Sequence, residues 1–74
     1  MHDTTIALHL LELSSRLDKA AELGKASVAC VSAGSHDAAL EVAMDIEQLL
    51  YEATTLLNAA GLIHRVRYDG AGRP

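Results

Sequence analysis

The stretch "VACVSAGSHDAALEVA", residues 28–43, decides the fold. At its centre Ala33-Gly34-Ser35-His36-Asp37 holds no proline and no bulky side chain, and apolar residues recur at helical spacing on both sides of it. We read residues 33–37 as a short connection between two antiparallel helices.

Upstream, positions 6, 10, 13, 17, 20, 24, 27 and 31 read Ile, Leu, Leu, Leu, Ala, Gly, Ser and Val. Alternate steps of four and three make a heptad seam, so the spacing predicts a helix over about 4–32. Asp3 or Thr4 can cap its start, because their side-chain oxygens accept from free backbone N–H groups. Glu12 with Arg16 and Glu22 with Lys25 are spaced as surface ion pairs. Past its middle the helix exchanges leucines for Ala20, Ala21, Gly24, Ala26 and Ser27, residues small enough for another helix to approach closely. Gly24 costs about 1 kcal/mol relative to alanine inside a helix, and we read it as serving that close packing.

Downstream, Ala39, Val42, Ile46, Leu49, Ala53, Leu56 and Ala60 repeat the three-four spacing, and Ala43, Leu50 and Leu57 widen the stripe. A second helix is expected over about 38–60, capped by Ser35 or Asp37 and stopped by Gly61. Residues 1–61 thus form the hairpin. Residues 62–74 remain as a basic tail: "LIHRVRY" alternates weakly and is open to an extended conformation, and "DGAGRP" has the composition of a terminus.

The expected fold is all-α. A chain of 74 residues with a single cysteine, Cys30, has no intramolecular disulfide to support a small core. The second helix also carries a wider apolar face than one neighbour covers. Dimerisation of two hairpins into a four-helix bundle resolves this, since every helix then touches two others. The expected dimer core is Ile6, Leu10, Leu13, Leu17, Ile46, Leu49, Leu50, Leu56 and Leu57. Trp and Phe are absent, and no window reaches the roughly 20 apolar residues of a membrane span. With no secretory pattern at its start, the chain is expected to be cytoplasmic.

The sequence offers little for catalysis. The histidines do not fall in the His-Glu-x-x-His or Glu-x-x-His spacings that assemble metal ligands, and there is no glycine-rich phosphate loop. Asp45 and Glu52 share a helix face but read as a solvated acidic surface, and Cys30 reads as a small packed thiol. We expect no enzyme, no metal and no cofactor.

Charge disfavours nucleic acid as a partner. Of the net −4, residues 1–34 carry −1, residues 35–61 carry −5 and residues 62–74 carry +2, so the second helix repels phosphate. A nucleic-acid-binding regulator using the tail arginines and the basic residues of the first helix is the alternative reading. Protein recognition has better residues. Leu40, Met44 and Tyr51 form a stripe offset from the main seam, suited either to the dimer contact or to a target, and Arg65, Arg67 and Tyr68 add tail contacts in which arginine can grip a carboxylate.

An antiparallel hairpin turned at "SAGSHD" and seamed by small and aliphatic residues resembles Rop-type hairpin dimers over about residues 4–60. It is also similar to small proteobacterial helical hairpins and to phage-encoded helical dimers that inhibit host regulators. The Rop likeness implies RNA binding through basic and aromatic residues, which the acidic second helix does not supply. The phage likeness implies an unidentified protein partner that is bound and blocked.

Overall fold

The computed structural model of the chain describes residues 3–72, and the side chains of residues 4–67. Two helices make the whole fold: α1 (Asp3–Ser32) and α2 (His36–Gly72), packed antiparallel into a rod whose Cα atoms span 62 × 17 × 12 Å. No strand occurs among the described residues.

The reversal is shorter than the sequence suggests, occupying residues 33–35. Ser35 N–H donates to the carbonyl of Cys30 at 2.8 Å and Gly34 N–H to that of Val31 at 2.9 Å, closing the end of α1 in a Schellman motif. That motif needs a left-handed residue, and Gly34 supplies it with φ 85°. Ser35 then serves both helices, because its own carbonyl accepts the N–H of Ala39 at 3.0 Å as the first bond of α2. Asp37 follows in the first turn, where its charge suits the helix dipole.

The expected stop at Gly61 and the extended tail after it are not what forms. α2 runs on to Gly72. A Cβ placed on Gly61 would meet nothing within 4 Å, and its neighbours Ala59, Ala60 and Leu62 are strong helix formers. The contact seam itself continues through Ile63 to the half-buried Arg67, in the same steps of three and four that began at Ala39. Packing of that stripe overrides one glycine's propensity.

On α2 the expected line Ala39, Val42, Ile46, Leu49, Ala53, Leu56 and Ala60 is half-buried or buried, with Ala39, Ala53 and Ala60 the buried positions. Alanines at these points bring the two backbones close. Leu50 and Leu57 of the widened stripe are exposed, and Glu52 is half-buried in their stead. On α1 the seam differs from the expectation. Ile6, Leu13, Ala20 and Ser27 face α2, but they alternate with His9, Arg16, Leu23 and Cys30 rather than with Leu10, Leu17 and Val31, and Gly24 is half-buried beside Leu23. At 100° per residue the contact face is therefore rotated by about 50° from the centre of the apolar stripe. Leu10, Leu17 and Val31 consequently lie beside the seam and are exposed.

Candidate interaction surfaces

The rotation gives the hairpin two unlike edges. One is polar. Arg16 lies at the interface, pairing with Glu12 one turn earlier on α1 and with Glu52 across the gap, where its Nε donates to Oε1 at 3.2 Å. Gln48 Nε2 donates to the other oxygen of Glu52 at 3.0 Å. The hydrogen bonds from Gln48 and Arg16 hold the Glu52 carboxyl below its ordinary pKa, and those with Glu12 and Glu52 raise the Arg16 guanidinium further above its own. Beside them Tyr51, Thr55 and Leu56 complete a shallow, open depression. Ser27 Oγ adds an interhelical bond, donating to the carbonyl of Ala39 at 3.1 Å, and Lys25 pairs loosely with Glu22 at 3.9 Å.

The other edge is apolar. Leu10, Leu17, Gly24 and Val31 flank the seam on α1, and Ala43, Leu50, Leu57 and His64 hold the equivalent place on α2. In an antiparallel pair these two sets run along the same side. Arg16 beside Glu52 and Ser27 beside Ala39 set the register, which brings Leu17 level with Leu50 and Leu10 level with Leu57. All four leucines are exposed, at 46, 47, 44 and 53% respectively. Of the expected dimer core, Ile6, Leu13, Ile46, Leu49 and Leu56 are half-buried between α1 and α2, and these four leucines are the remainder.

A third surface lies on the outer side of α2. Met44, Tyr51 and Arg65 stand at multiples of seven residues, nearly opposite the seam, with Asn58 between them, and all are exposed. Leu40 sits between this stripe and the apolar edge, also exposed. The sequence reading places Leu40, Met44, Tyr51, Arg65, Arg67 and Tyr68 in one partner-binding set, and the structure divides it. Arg65 joins the stripe because the helix continues past Gly61. Arg67 turns toward the seam, half-buried and engaged, and the side chain of Tyr68 lies outside those described.

Cys30 is half-buried in the α1 seam. Among the described residues no group of three or more His, Cys, Asp or Glu side chains converges as metal ligands, and no helix is long and apolar enough to cross a membrane. Sequence reasoning missed Arg16 and Glu52 as a cross-helix pair. The available signal was that Arg16 stands three residues after Leu13 and four before Ala20, which fits a seam as well as Leu17 does. The chain matches no family model, no curated protein and no solved structure.

Proposed function

We propose that the chain is a small, non-enzymatic, cytoplasmic regulator or inhibitor that acts as a homodimeric four-helix bundle and binds a protein target. The observation that carries this reading is surface. A folded monomer of 7.8 kDa is expected to expose about 4,400 Å², whereas this chain exposes 5556 Å². The excess, roughly 1,200 Å², exceeds the roughly 800 Å² that each partner buries in a typical stable complex. Large apolar side chains contribute heavily to it, Leu11, Val28, Leu40 and Tyr51 each being more than 60% exposed.

Two separate faces take up part of this exposed material. The apolar edge suits a second copy, and the outer stripe of Met44, Tyr51 and Arg65 stays turned away from that edge, with Tyr51 also bordering the depression beside Arg16 and Glu52. A methionine, a tyrosine and an arginine on one rigid helix face combine an adaptable apolar contact, an aromatic anchor and a carboxylate-binding fork, which are the groups that dominate protein recognition sites.

The test begins with capture from the native host using the tagged chain, followed by titration of the purified partner against wild type, Met44→Ala and Tyr51→Ala. Tyr51→Ala is expected to weaken binding by about tenfold or more, with only a mild dependence on salt. Affinity unchanged in both variants would remove this stripe from the function. Binding of nucleic acid that weakens steeply with ionic strength would favour the alternative regulator instead.

A further inference from the structure

Resting on the homodimer proposed above, we infer that the apolar edge is the dimer interface and that the two hairpins lie with their turns at opposite ends. Leu17 of each copy then seats against the partner's Gly24, and Leu50 against the partner's Ala43.

Large and small residues follow a fixed order along the edge. From the open end of the hairpin toward the turn, level pairs read Leu10 with Leu57, Leu17 with Leu50, Gly24 with Ala43, and Val31 with His36. Two large layers are thus followed by a hollow. The hollow is real in the single chain, since a Cβ added at Gly24 would meet nothing within 4 Å. None of the eight residues that form these levels is charged, Glu47 beside Ala43 and Leu50 being the nearest charge on α2, while Glu12, Arg16 and Glu52 gather on the opposite edge. Cores of protein interfaces are depleted in charge in the same way.

A second copy of the chain is the occupant that this pattern fits. An isologous contact requires one patch to complement itself under a two-fold rotation. If both turns lay at the same end, the leucine layers would crowd the partner's leucine layers, and the partner's Gly24 and Ala43 would face this chain's own Gly24 and Ala43 across a void. Protein interiors are close-packed and tolerate neither. Reversing one hairpin places large against small at the two inner levels, Leu17 against the partner's Gly24 and Leu50 against the partner's Ala43, and sets Leu10 against the partner's Val31 and Leu57 against the partner's His36 toward the ends. One two-fold axis, crossing between residues 20 and 21 of α1 and between 46 and 47 of α2, satisfies both helices. Each α1 then packs on the other α1 and each α2 on the other α2. Met44 and Tyr51 remain on the outside.

Gly24→Leu tests the inference. The lone hairpin leaves open space at a Cβ on Gly24, and leucine adds helix propensity, so helical content should be kept. Sedimentation equilibrium should nevertheless show the dimer weakened by about tenfold or more, as overpacking of a closed interface requires. Tyr51→Glu should leave self-association unchanged. A second readout does not depend on how Gly24→Leu folds. In a Cys30→Ser background, the Leu17→Cys, Gly24→Cys double variant should oxidise to a covalent dimer, because positions seven apart on one helix, about 10 Å, are too distant to bridge within a chain. A wild-type dimer that Gly24→Leu leaves intact, with no covalent dimer from the double variant, would overturn this arrangement while leaving the homodimer standing. A wild-type chain that stays single at every concentration would overturn both.

Discussion

Arg16 occupies a position where a leucine-rich helix would ordinarily place another leucine, and its neighbours explain how it is tolerated. About a third of its side chain remains exposed, and its guanidinium meets Glu12 on its own helix and Glu52 on the other. Glu52 is the group through which pH enters. Gln48 and Arg16 lower its folded pKa beneath the unfolded value, so the native state binds fewer protons than the unfolded chain on acidification. The resulting stability is present above the ordinary carboxylate range, near pH 4.3, and is lost as pH falls through that range and below it. Glu52→Gln should therefore flatten the acid limb of a stability-versus-pH curve measured by urea unfolding. A variant whose acid limb matches wild type would show that this contact contributes nothing to folding. Arg16 is protonated throughout this window, so the effect belongs to the carboxylate.

At the scale of the elements, Gly61 separates two accounts of α2. As a helix stop it would sit in the left-handed conformation, where alanine is strained. As an interior residue it carries a propensity penalty that alanine removes. Because α2 continues to Gly72 and the space around Gly61 is open, Gly61→Ala should stabilise the fold by about 1 kcal/mol; a loss of stability would indicate a helix ending there. Both helices, the chain reversal and the α2 seam from Ala39 to Ala60 were legible in the sequence, since three-four spacing of aliphatic residues leaves few other solutions. The α1 seam was not. Its apolar stripe includes two candidate lines, one through Leu10 and Leu17 and one through His9 and Arg16, and hydrophobicity alone selects the wrong one for the contact with α2. The continuation past Gly61 was hidden for a related reason: "LIHRVRY" alternates in polarity, yet Ile63 and Arg67 also extend the heptad spacing, and only the packed helix decides between the periods. The outer stripe was half legible, with Met44 and Tyr51 visible and Arg65 assigned to a separate tail.

For the molecule as a whole, the decisive fact is that two helices meet along one narrow seam. Only three alanines are buried among the described residues, and no large side chain is fully covered. A lone hairpin of this kind has little apolar burial to set against the entropy of ordering its chain. In the proposed dimer a second copy supplies the missing layer, covering the apolar edge and leaving the polar edge and the outer stripe free. The most direct test is sedimentation equilibrium of the full chain over a dilution series at micromolar concentrations. A folded species of twice the 7.8 kDa chain mass, dissociating on dilution with loss of helical signal, is the expected result; a stably helical species that holds the single-chain mass across the series would contradict the account.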